Sequence, residues 1–211
     1  MSAPAGKRDL VVLAADRNTE AVVRGVLNRP RAIGIRSASF DIHRHPNKDP
    51  GCLLEGIEFL DAFSEMFCHA LLIFDLEGCG QKTSALDLEK ELENEFIQSP
   101  WGKRAAVIVI EPELDIWVWS DSPHVERILG WTGHSPGLRS WLMKKGHIEE
   151  GMAKPLRPKE ALEDALRVVH KPRSSSIYAD LASRVSLARC TDRAFVKLKI
   201  TLQKWFAEPE A

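Results

Sequence analysis

Long apolar runs are missing from this chain of 211 residues. No stretch approaches the ~20 apolar residues that a membrane helix needs, so no membrane association is expected. The opening Met1–Arg8 is a short polar tail. The apolar run behind it, Leu10–Ala15, is too short for a secretory leader and has no small-residue cleavage site after it. Cysteine is scarce: Cys52, Cys68, Cys79 and Cys190 lie far apart and form no CxxC pair. Neither a zinc site nor a disulfide framework is expected, and the thiols read as reduced, in a cytoplasmic protein. Charge of one sign is also missing, since 29 basic residues face 30 acidic ones for a net charge of −1. That balance excludes the basic coat of a dedicated nucleic-acid binder but leaves room for a local basic groove. No GxGxxG follows the first apolar run, and there is no GxxxxGK[ST] and no GxSxG. Dinucleotide, P-loop and serine-hydrolase chemistries therefore drop out.

What remains is an ordinary soluble composition, 44% hydrophobic and 28% charged, with a regular alternation of elements. Leu10–Ala15 reads as a buried strand. Val22, Val23, Val26 and Leu27 then fall at helical spacing, with Asn18 or Thr19 as cap and Arg29-Pro30 as stop. Ile33–His43 reads as a second strand, and Pro50-Gly51 opens a helix carrying Leu53, Ile57, Leu60 and Phe63. Ala70–Phe74 is a third strand, Ser84–Gln98 a helix and Arg104–Ile110 a fourth strand. Strands apolar on both faces that alternate with helices predict an α/β fold, Rossmann-like, with a mostly parallel sheet and helices on both faces. Beyond Ile110 the pattern is helical: Glu113–Trp119, Pro123–Trp131, Leu138–Lys145, Pro158–His170, Ser176–Ala188 and Asp192–Phe206. The expected organisation is an α/β core over 1–120 and a helical C-terminal extension over 121–211 packed on it, the two together forming one domain as the other option.

In parallel α/β sheets ligands bind beyond the carboxyl ends of the strands. The first strand ends at Asp16, with Glu20 one turn on. The third ends at Asp75 and Glu77, and the fourth leads into Glu111, Glu113 and Asp115. Converging carboxylates repel unless a cation neutralises them, and Mg²⁺ takes one or two carboxylates plus water and substrate phosphate. The plain alternative is that each is a helix cap or a solvated loop residue. Arg17 stands where it could meet a phosphate, and Lys154, Arg157, Lys171 and Arg173 belong to a basic stretch that could track a phosphate backbone. Six tryptophans include candidates for base stacking or for an exposed partner surface, although packing helices onto the sheet is their commoner use. His43 and His45 share a side of the second strand, either as a metal pair or as a polar strand end.

These motifs carry a resemblance. The segments VVLAADRNTEAVV and LLIFDLEGCG resemble the TOPRIM fold of primases, type II topoisomerases and OLD-type nucleases, in which an acidic residue follows the first strand and a DxD follows a later one. Asp16 and Asp75/Glu77 match those positions. The chain is most similar to the short stand-alone bacterial TOPRIM-related proteins often encoded near phage-defence genes. Their second acidic residue matches Glu20, their acidic-aromatic helix matches Glu113, Asp115 and Trp117 in IEPELDIWVW, and their C-terminal motif matches ARCTDRAF at residues 188–195. The departures are Asp16 for Glu, Arg17 for the Gly after it, and DxE for DxD. The resemblance implies a Mg²⁺- or Mn²⁺-dependent nuclease or related phosphoryl-transfer protein acting on nucleic acid, with a place in antiviral defence. Asp75, Glu77 and Asp115 would be metal ligands, and Asp16 and Glu20 catalytic. The altered acidic residues leave a second outcome: an inactive TOPRIM-like scaffold or sensing subunit with protein partners in a defence complex. A phospho-receiver, which also has acidic strand ends, would need a Thr or Ser after the fourth strand, where this chain has Glu111-Pro112-Glu113.

Overall fold

The computed structural model describes residues 6–120 and 122–208. Four strands, β1 (Arg8–Ala14), β2 (Phe40–Arg44), β3 (Phe67–Asp75) and β4 (Ala105–Ile110), form one sheet in the order β2-β1-β3-β4. All three pairings are parallel, with Val12 opposite both Ile42 and Leu71, and Ile73 opposite Ile108. The second strand is shorter than the sequence pattern predicts. Pro30 fixes the first position of a helical turn, α2 (Pro30–Ile33), so the chain becomes extended only at Phe40.

The helix α1 (Arg17–Leu27) connects β1 to β2 across one face, whereas α3 (Lys48–Asp61) and α5 (Ala85–Gln98), the latter preceded by the single turn α4 (Leu76–Cys79), cross the other. A right-handed parallel crossover requires this change of face when the direction of strand addition reverses. The reversal lies between β1 and β3. Along β1, Leu10, Val12 and Ala14 join the core under α1, while Val11 and Leu13 join the core under α3 and α5.

The helices α6 (Pro123–Leu129), α7 (Leu138–Lys144), α8 (Pro158–Val168), α9 (Ser175–Arg184) and α10 (Arg193–Trp205) share the α1 core. Gly25 of α1 permits the tightest of these contacts, since a Cβ there would sit 2.6 Å from the Ala182 Cβ of α9. Four tryptophans, Trp101, Trp119, Trp131 and Trp141, are buried, and Trp117 and Trp205 are partly buried and packed on that core. The large apolar side chains that do reach solvent are aliphatic, such as Leu54, Leu156 and Ile200. The exposed aromatic surface expected in the C-terminal half is therefore not found among the described residues; the rings fill space between helices and sheet. None of the described helices is long and apolar enough to cross a membrane.

The free edge of β4 is closed by side chains. The N–H groups of Val107 and Val109 donate to Glu93 Oε1 (3.1 Å) and Glu89 Oε1 (2.8 Å) of α5. Arg193 of α10 donates to the Val109 carbonyl and, at 2.8 Å, to Glu89 Oε2. Lys197 completes the network, 2.7 Å from Glu93 and 3.2 Å from Glu89. Glu89 is 1% exposed, so its charge is tolerable only because these donors surround it. Removing it leaves the Val109 N–H and the Arg193 head unmatched. Glu89→Ala is expected to cost about 3 kcal/mol in urea unfolding, and Glu89→Gln, which keeps the acceptor, clearly less. Equal costs would show that the carboxylate charge contributes nothing.

Candidate functional site

The switch in strand order lies between β1 and β3, and the carboxyl edge at such a switch is where a doubly wound fold binds its ligands. Asp16 follows β1 and caps α1, its Oδ1 accepting from the N–H groups of Asn18 (2.9 Å) and Thr19 (2.8 Å) and from the Thr19 hydroxyl (3.0 Å). A carboxylate at a helix N-terminus meets both free donors and the positive end of the dipole. Asp75 is the last residue of β3. Its Oδ1 is shut off from solvent and has no hydrogen-bond partner among the described residues.

A third carboxylate, Asp49, enters from the first turn of α3. Its Oδ1 accepts from the Asp75 backbone N–H at 2.8 Å, tying the β2–α3 connection to the end of β3. Two glycines make the approach possible: a Cβ at Gly78 would sit 2.5 Å from Asp49 Oδ2, and one at Gly51 would sit 1.9 Å from His45 Nδ1. Applying the strand-end rule to the second strand as well as to the others would have found Asp49. Its Asp-Pro-Gly setting reads as a helix start, and that explanation hid the second role.

The cluster is electrostatically loaded. Burial pushes the Asp75 carboxyl well above its ordinary range, and the charge of Asp49 adds to the push, as do those of Asp16 and Glu113; a Leu114 backbone N–H opposes it. Burial likewise raises Asp49. Glu113, beyond β4, is raised to about 7 by burial and by Asp115, with Lys159 pulling the other way from 3.7 Å.

The other expected site residues are placed differently. Glu77 is exposed and bears electrostatically on Glu113. Glu20 is paired with Arg24 (2.9 Å) and Arg44 (3.2 Å). Asp115 is 1% exposed and spends both oxygens inside the protein, accepting from Tyr178 Oη and Arg173 Nη2, each at 2.7 Å. It anchors α9 to the chain beyond β4, which is where the buried hydroxyl and guanidinium find a counter-charge. Among the described residues no group of three or more His, Cys, Asp or Glu side chains is arranged to hold a metal ion.

The basic residues do not form a common track. Arg173 is taken by Asp115, Lys171 donates to the Ile128 carbonyl, Arg157 lies 3.8 Å from Glu160, and Lys154 lines a separate cavity. Arg17 is exposed beside the Asp16 cap. His43 packs on Phe63 with centroids 4.7 Å apart, and His45 accepts from the Asn47 N–H and lies 3.3 Å from Glu55, while both rings pack 5.9 Å from Phe59.

Comparison with protein-family models, curated proteins and solved structures finds no match. The chemistry of the edge must be argued from its own residues. All its donors are carboxylate oxygens, suited to a hard divalent cation: the unpartnered oxygen belongs to Asp75, and Asp49 is tied to the Asp75 backbone. Two carboxylates with water in the remaining positions match the habits of Mg²⁺.

Two outcomes follow. Glu113 holds its proton more tightly folded than unfolded, so the folded state binds more protons between the ordinary value and about 7. Its contribution to stability is full below pH ~4.5 and is lost as the pH rises through about 7, a swing of about 3 kcal/mol. Urea unfolding at pH 5 and pH 8 should show this fall in the wild type and a flatter dependence in Glu113→Gln. Separately, Gly78→Ala should displace Asp49 and cost about 1–3 kcal/mol; unchanged thermal stability would mean that Asp49 is not held against Gly78.

Proposed function

We propose that the protein is a TOPRIM-type, Mg²⁺- or Mn²⁺-dependent phosphoryl-transfer protein, a nuclease by preference, acting on nucleic acid. The observation that carries this reading is the enclosed, unpartnered Oδ1 of Asp75 amid the charges of Asp49, Asp16 and Glu113. An uncompensated acidic cluster destabilises the fold that holds it, and a divalent cation offsets that cost. The location supports the same reading, since the cluster lies at the topological switch point.

Asp75 and Asp49 would hold the ion. When bound, it would neutralise charge on a phosphate and make a water more acidic. Asp16, fixed by the α1 N-terminus, keeps the loop after β1 in place and adds negative potential. Glu113, with its proton affinity raised to about 7, suits transfer of a proton at its carboxyl oxygen near neutral pH. Arg17 is free to meet a phosphate from the solvent side. A role in antiviral defence, with protein partners in a cytoplasmic complex, rests on the sequence resemblance.

A second reading, an inactive TOPRIM-like scaffold or sensing subunit, is favoured by different facts. Glu20 and Asp115 are committed to ion pairs, and no three donors converge among the described residues.

One measurement separates the two. In the metal-site reading, Mg²⁺ at ten times its Kd stabilises the wild type by about 1.4 kcal/mol. Asp75→Asn gains nothing from Mg²⁺, and in metal-free buffer it is at least as stable as the wild type. Cleavage of single- or double-stranded DNA or RNA by the wild type, lost in Asp75→Asn, would establish the nuclease. A wild type that gains no stability from Mg²⁺ or Mn²⁺ establishes the scaffold.

A further inference from the structure

A half-open cavity of about 540 Å³ lies between α1, α9 and the chain that follows β4. Its walls include Val22 and Val26 of α1, Leu181 of α9, and Val185, Phe195 and Trp117. A space of this size lies within the range of small-molecule sites.

Three cations border the cavity: Arg139, Lys154 and Arg189. Arg139 donates to the carbonyls of Met152 and Ala153. Lys154 is half-buried beside Cys190, and Arg189 is exposed; neither forms an ion pair or a side-chain hydrogen bond among the described residues. The described lining residues include no carboxylate. An apolar interior under a cationic border complements a molecule with an apolar body and one anionic head. A nucleotide fits less well, because its sugar hydroxyls would lie against Val22, Val26 and Leu181 without partners.

We propose that this cavity binds a small organic acid, with an aliphatic or aromatic body against the α1 and α9 walls and a single acidic head at Lys154 and Arg189. The cavity shares no residue with the carboxylate cluster, so this assignment stands or falls independently of the metal reading.

The test uses the purified full chain and two fluorescent probes of similar shape, the anionic 8-anilinonaphthalene-1-sulfonate and the neutral N-phenyl-1-naphthylamine. The wild type should bind the anionic probe at one saturable site, and decanoate should displace it where inorganic phosphate does not. K154Q/R189Q should weaken the anionic probe about tenfold or more, as expected for loss of charged hydrogen bonds, and leave the neutral probe nearly unchanged. Ser186→Trp, which fills the cavity from its lining, should abolish both probes, with circular dichroism showing that the fold persists. Absence of a saturable site in the wild type overturns the proposal. So does equal affinity of K154Q/R189Q for the anionic probe, or displacement by phosphate as effective as by decanoate.

Discussion

A parallel sheet whose strands are apolar on both sides must be covered on both sides, and in this chain that constraint governs the rest. By Ile110 the chain has placed α3 and α5 on one face and only α1 and the single turn of α2 on the other. Ile73, Ile108 and Ile110 would remain open to water on the α1 face without further helices. The C-terminal half supplies that cover, with α9 against α1 and α10 along β4. Residues of both halves of the chain bury their apolar surface in this one core.

The same helices settle the hydrogen-bonding problem of the sheet's edge. A fifth strand would have satisfied the outer N–H groups of β4; among the described residues there is none. Glu89 and Glu93 accept from them instead, and Arg193 and Lys197 bring the positive charge that makes a buried glutamate tolerable. The arrangement couples α5, on one face, to α10, on the other, around the end of the sheet. It also blunts an edge that could otherwise pair with another chain.

Charge at the carboxyl edge is handled in two opposite ways. Asp115 and Glu20 are paid in full by arginines and a tyrosine, and they join elements together. Asp49 accepts from the Asp75 backbone N–H, and burial raises the proton affinity of both carboxyls, with the charge of Asp49 adding to the rise at Asp75. That contrast singles out the Asp75 neighbourhood as the place where an external charge has most to offer. It is also why nearness of carboxylates in sequence was a poor guide to which of them act together.

The sequence by itself determined the class and most of the elements. Apolar runs of strand length at Leu10–Ala15, Ala70–Phe74 and Ala105–Ile110, alternating with segments whose apolar residues fall at 3.6-residue spacing, read as buried parallel strands separated by helices. It also determined that Asp16 and Asp75 would stand at strand ends, because a strand's last residue is set by where its apolar pattern stops. Tertiary structure alone decided the partners. Asp49 reaches Asp75 across 26 positions, Arg173 and Tyr178 reach Asp115 across 58 and 63, and Arg193 reaches Glu89 across 104. Periodicity reports which side of its own element a residue occupies. Which charges meet depends on strand order and on close approaches such as Gly78 to Asp49, and those are properties of the folded sheet, with no local signature in the chain.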